Sequence, residues 1–196
     1  MNMKSRLIIA GASLLLILTF FFPVWQIDLN APQYPEGLGL RIWLNEIGGL
    51  KPNDLQSING LNHYIGMQVI EPESIPELKV MPFIIVFMIL FGLINAFIGK
   101  PIYLKIWLAL FLVIAIVGLV DFYLWGYDYG HNLNPDAPIK VPGMTYQPPL
   151  LGSKQLLNIN AVSLPAVGTY LIIISLMITT FVAFSKSFRL KENKLA

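Results

Sequence analysis

Five side chains stand out as donors for a soft metal ion: His63, Met67, His131, Met144 and, less centrally, Met81. His63 and Met67 sit in "NGLNHYIGM" four residues apart, one helical turn, so a helix would place them in one row with Asn59. His131 closes the aromatic stretch "DFYLWGYDYGH", and Met144 lies in the turn-rich run "VPGMTYQPP". Imidazole and thioether together suit copper, Cu(I) above all. The competing reading is ordinary: a histidine hydrogen-bonded on a helix surface and methionine as core filler. The chain has no cysteine, which removes disulfides, thiolate zinc sites and iron–sulfur ligation.

A second constellation centres on Asp121, with Tyr123 and Trp125 beside it. Together with Phe122, Tyr127 and Tyr129 these rings could bound a quinone or lipid pocket, with Asp121 as proton relay or cation ligand. They could equally form an interfacial aromatic belt, with Asp121 a polar tie to Lys140 or Lys154. The acids Glu71, Glu73 and Glu77 read either as a cation site or as a solvated face. No glycine-rich phosphate loop, nucleophile–histidine–acid arrangement or basic stripe for nucleic acid is present, and two histidines outside the spans cannot ligate a haem within the membrane. A catalytic role is not expected.

What must position these residues follows from composition. Hydrophobic residues make up 56% of the 196, and charged residues 12%, half the share of a soluble domain at about 25%. A spanning helix needs about 20 apolar residues. Four segments qualify: 7–25, 80–98, 106–126 and 161–185, the third carrying Asp121. The first is read as a retained anchor, because it is long and ends in "FFFPVW" without a cleavage site. The expected fold class is therefore an all-α membrane protein, a single unit of four transmembrane helices. Its extracytoplasmic cap would be formed by two long loops, 26–79 and 127–160.

Eight of the 13 basic residues (Lys4, Arg6, Lys100, Lys105, Lys186, Arg189, Lys191, Lys194) fall in short segments that share one side if both termini are cytoplasmic. The positive-inside rule then places both long loops outside a bacterial inner membrane. Trp25, Trp107, Trp125 and Tyr103 are expected at the headgroup level. Within the first loop "LGLRIWL" reads as a short strand. Leu55, Ile58, Leu61 and Ile65 have helical spacing, with Asn53 or Asp54 to cap the start and Gly66 to end it.

The strings "APQYPEGLGLRIW", "INGLNHYIGM", "DFYLWGYDYGHNL" and "PGMTYQPPLLGSKQLLN" resemble a family of small polytopic membrane proteins of nitrous oxide reductase gene clusters, NosB-like and neighbours of the copper chaperone NosL. That resemblance spans residues 20–165. It implies an accessory role in maturing or operating a periplasmic copper enzyme, with copper as cofactor and the enzyme, a copper chaperone or other membrane subunits as partners. The alternatives are a quinol-interacting electron-transfer subunit and a purely structural subunit.

Overall fold

The computed structural model describes residues 1–185; the basic tail at 186–196 lies outside them. Four helices are long and apolar enough to cross a membrane, but the expectation of an all-α protein is overturned. The fold is mixed: 57% helix, with 17% of residues in a five-stranded antiparallel sheet.

The spans are α1 (Met3–Leu15), continued as a 3₁₀ turn to Phe20, α3 (Pro76–Ile98), α4 (Pro101–His131) and α5 (Val167–Phe184). α1 packs against α3 and α5, and α4 closes the ring between those two. The crossing of α1 and α3 is close: a methyl on Gly92 would lie 2.1 Å from Ser13 Oγ. Small residues at helix contacts are how bundles gain packing in lipid, where no hydrophobic effect draws helices together. Ser175 of α5 donates to the Ala12 carbonyl of α1 at 2.8 Å. Trp107, expected at the headgroups, is instead 1% exposed in the bundle core, its indole donating to the Met88 carbonyl at 2.8 Å.

The first span is shorter than expected. Pro23 removes a helical donor, and from Trp25 the pattern Trp25, Ile27, Leu29, Ala31 alternates with Gln26, Asp28, Asn30, the period of a half-buried strand. This is β1 (Trp25–Ala31). It pairs with β2 (Tyr34–Ile42) on one side and β5 (Ile159–Pro165) on the other. β3 (Ile47–Gly49) and β4 (Gly152–Leu156) form the edges, giving the order β3-β2-β1-β5-β4. The register stacks Ile27 between Leu40 and Ser163, and Leu29 between Leu38 and Ala161, on the inner face. The other face carries the Arg41–Asp28 ion pair at 2.7 Å.

An open sheet has unpaired backbone groups at both edges, which hydrocarbon does not tolerate. The sheet therefore belongs in water above the spans. Its edges are blunted by the three-residue length of β3 and by Lys154 on β4. Residues 161–165, assigned by hydropathy to the fourth span, are strand. The run "AVSLP" is apolar because Ala161 and Ser163 face the cap core, and it flows without a polar break into α5.

Sheet and bundle share a junction. The first N–H groups of α5 have no intrahelical partners. Gly168 N–H donates to the Pro23 carbonyl at 2.8 Å, and Ala166 N–H to the Val24 carbonyl at 3.0 Å. At the far end of the bundle, Arg6 Nε donates to the Ala96 carbonyl at 2.7 Å, and Arg6 also bonds the Phe97 carbonyl, covering the last turn of α3.

Candidate functional site: the apolar cleft of the cap

α4 has 31 residues, about 46 Å at 1.5 Å per residue, against a hydrocarbon core of about 30 Å. It therefore overshoots the membrane, and its final turns, from Trp125 to His131, become a wall of the cap. His131 thus ends a helix, where a loop beginning at 127 was expected.

The opposing wall is α2 (Asp54–Ile65). Its apolar stripe faces the sheet, with Ile58 buried and Leu55 and Leu61 packed against the cap core. Gly66, at φ 82°, ends it as expected, and Met67 N–H closes the turn on the Asn62 carbonyl at 2.9 Å. The start differs. Asn53 makes no side-chain cap, and Asp54 is 4% exposed, its carboxylate accepting from Gly39 N–H at 2.9 Å and Lys51 N–H at 3.1 Å. It pins α2 to β2. Asn59 clamps the chain beyond the helix, exchanging two hydrogen bonds with Ile70 at 2.8 and 3.1 Å.

Between the inner face of the sheet, α2 and the end of α4 lies a cleft of about 180 Å³. Ile27, Leu29, Leu40 and Ala161 line its sheet side, Ile58, Leu61 and Ile65 its α2 side, and Trp125 and Tyr129 its α4 side. The Trp125 and Tyr129 rings are 4.3 Å apart at 34°. Tyr129 is held by its hydroxyl donating to the Val69 carbonyl at 3.1 Å. The segment 144–150 closes the cleft beside α4: Tyr146 N–H donates to the Gly130 carbonyl at 2.9 Å, and Gly130 is pressed so close to Gln147 that no side chain fits between. A narrow slot of about 10 Å³, bounded by Phe122, Tyr123, Gly126 and Pro149, shares Ile27, Trp125 and Pro148 with the cleft.

The residues singled out in the sequence are dispersed across this frame. Met67 lines the cleft. His63, exposed on the last turn of α2, packs edge-on to Tyr64. His131 is exposed and stacks on Tyr127 at 3.9 Å, its Nδ1 2.9 Å from the Tyr127 carbonyl. A carbonyl only accepts, so Nδ1 carries the proton and a neutral ring offers Nε2. Asn134 N–H donates to the Gly66 carbonyl at 2.8 Å and Ile139 N–H to the Tyr64 carbonyl at 2.9 Å, so the helix ends bearing His63 and His131 meet at one corner. Met144 is half-buried in a turn closed on the Val141 carbonyl at 3.1 Å.

Tyr123 and Trp125 line the slot. Asp121 is exposed on α4 within electrostatic reach of Glu77. It makes no ion pair among the described residues, and Lys154 bonds the Gln147 carbonyl at 3.1 Å instead. Among the described residues no group of three or more His, Asp or Glu side chains is placed to hold a metal ion.

Tyr146 and the strands β1 and β5 of the sheet side went unread in the sequence, whereas the strand expected at "LGLRIWL" is β2, which brings Leu40 to the cleft. The alternation in "WQIDLNA" was the available signal for the sheet; nothing local marks Tyr146. No protein-family model and no curated protein matches this chain.

Proposed function

We propose that this is a multi-pass accessory protein of a bacterial inner membrane whose outer cap binds an apolar ligand, and that it does not catalyse a reaction itself. The observation that carries the reading is the cleft of about 180 Å³ with aliphatic and aromatic walls. An engineered apolar cavity of about 150 Å³ stays dry and admits benzene, so a space of this size is suited to a ring or a short stretch of chain. The aromatic pair Trp125 and Tyr129 in its wall fits the quinol-interacting alternative better than a purely structural subunit.

In the orientation that fits, Lys4, Arg6, Lys100 and Lys105 face the cytoplasm and the sheet faces outward. Because the chain has no cysteine, one introduced at Asn158 should react with an impermeant maleimide in intact cells, and one at Lys100 should not; the reverse pattern overturns the orientation. The ligand reading is tested by purifying the chain from its own membranes and identifying extracted small molecules by mass spectrometry. A Leu61→Trp variant, which fills the cleft, should lose a compound that the unaltered chain retains. Identical extracts from both would remove the reading.

A second reading follows the resemblance to nitrous oxide reductase accessory proteins: a Cu(I) site or docking surface serving a periplasmic copper enzyme or its chaperone. It is favoured by the corner where the ends of α2 and α4 meet, and by the carbonyl that directs the Nε2 lone pair of His131 outward. Met67 or Met144 would complete the donor set. Competition with a Cu(I) chelator should show binding that the His63→Ala/His131→Ala variant lacks; equal behaviour of the two proteins rejects this site.

A further inference from the structure

One side chain of the cleft wall does not match its apolar neighbours. Tyr146 is 2% exposed and lines the cleft, and its hydroxyl has no hydrogen-bond partner among the described residues. More than about nine in ten buried polar groups are satisfied, and leaving one unpaired costs about 1–3 kcal/mol. Its backbone is held by the N–H bond to Gly130, where α4 and the 144–150 segment touch, and the ring itself is enclosed by its neighbours. A lone water is a poor remedy. It needs two to four polar partners, and the walls of the cleft are mostly aliphatic and aromatic, with Asn62 already donating to the Gln68 carbonyl at 3.3 Å and Tyr129 to the Val69 carbonyl at 3.1 Å. What fits is a molecule that is apolar over most of its surface and carries one strong acceptor. The Trp125–Tyr129 pair supplies a broad aromatic surface for a flat ring to lie against.

Beside the cleft lies the slot at Gly126, of about 10 Å³, which would have to widen for a ring to pass. Gly126 is buried, yet a Cβ placed there meets nothing within 4 Å, so the slot beside it is open space. Below it α4 presents Val120, Tyr123 and Leu124 as exposed apolar side chains, the surface that lipid would cover.

We propose that the cleft takes a flat apolar ring bearing a carbonyl, that Tyr146 Oη donates to that oxygen, and that the ring reaches the cleft from the outer leaflet through the slot at Gly126. This rests on the ligand reading above and adds the anchor, the ligand chemistry and the path. The same ring could come from a tailed membrane molecule or from a free compound in the aqueous phase.

The test uses the full chain in detergent, titrated calorimetrically with 1,4-naphthoquinone and with naphthalene, which lacks the acceptor. Tyr146→Phe should weaken naphthoquinone about threefold to tenfold, the worth of one hydrogen bond, and leave naphthalene unchanged. Its unfolding temperature should not fall, because the hydroxyl removed has no partner among the described residues. Leu61→Trp should abolish both ligands. If Tyr146→Phe leaves naphthoquinone unaffected, or lowers stability, the anchor is overturned while the cleft stands. If Leu61→Trp changes neither ligand, the cleft reading itself fails.

In nanodiscs, Gly126→Leu should slow uptake of an isoprenyl-tailed naphthoquinone about tenfold or more and leave the tail-less ring unchanged. That result assigns the membrane as source. Equal uptake of the tailed ring by both proteins overturns the slot as the route, and equal slowing of both rings overturns the separation of sources.

Discussion

A single hydrogen atom's worth of space decides whether the cap closes at Gly130. A methyl there would stand 2.2 Å from the backbone N and Cα of Gln147, and neither backbone can yield without moving Tyr146 and the wall it belongs to. Gly130→Ala should therefore cost about 1–3 kcal/mol, the usual range for overpacking, read as a lower unfolding temperature in detergent, with faster proteolysis between 139 and 150. Asp54 makes a different kind of demand. Its carboxylate serves two backbone donors in a buried place, so Asp54→Ala should remove about 1–3 kcal/mol, measured by the same unfolding assay, and Asp54→Asn less, since the amide oxygen can still accept. Sequence reading recovered half of this picture. Gly66 as a helix stop was legible, because an apolar 3.6-residue rhythm followed by glycine is local. The work of Asp54 was not, because its partner Gly39 lies on a strand that no local pattern ties to this helix.

Among the elements, the β4–β5 hairpin turns in two residues, with Leu157 at φ 55°. For a branched L-residue the left-handed region costs about 1–2 kcal/mol, and asparagine adopts it more readily. Leu157→Asn should stabilise the protein by about 1 kcal/mol at most, less whatever contact Leu157 makes with the cleft rim; Leu157→Val should do the opposite. Opposite shifts in unfolding temperature for the two variants are the check. The strands escaped a hydropathy reading for an identifiable reason: both β1 and β5 abut a span, and "VWQIDL" and "AVSLP" extend its apolar run, so the boundary shows only as a change of period from 3.6 to 2. The end of α4 was misplaced for the converse reason. Gly126 and the polar rings after it look like a loop, although tertiary contacts along the cap hold those turns helical. The four spans were legible because length and apolarity alone define them.

At the scale of the molecule, cap and bundle are joined at both covalent links between α1, β1, β5 and α5, and by the Pro23 and Val24 carbonyls that receive the first N–H groups of α5. At these two links, among the described residues, strand and helix follow each other with at most four residues between them. The two should thus unfold together. A variant retaining only Trp25, in the cap, and one retaining only Trp107, in the bundle core, should report coincident fluorescence transitions, and separated midpoints would show that the cap melts alone. Gly92→Val, which drives a branched side chain into Ser13 at the α1–α3 crossing, should lower both signals by the same interval.

The strand order also has a bearing on biogenesis. β1 is flanked by β2, its near neighbour in the chain, and by β5, which is made only after two further crossings of the bilayer. During synthesis the growing polypeptide must therefore keep one side of β1 bare while α3 and α4 are made, and the cleft is complete only once β4 and β5 are delivered. A nascent chain arrested before β5 would carry an unpaired strand edge of the kind that invites chaperones or proteases.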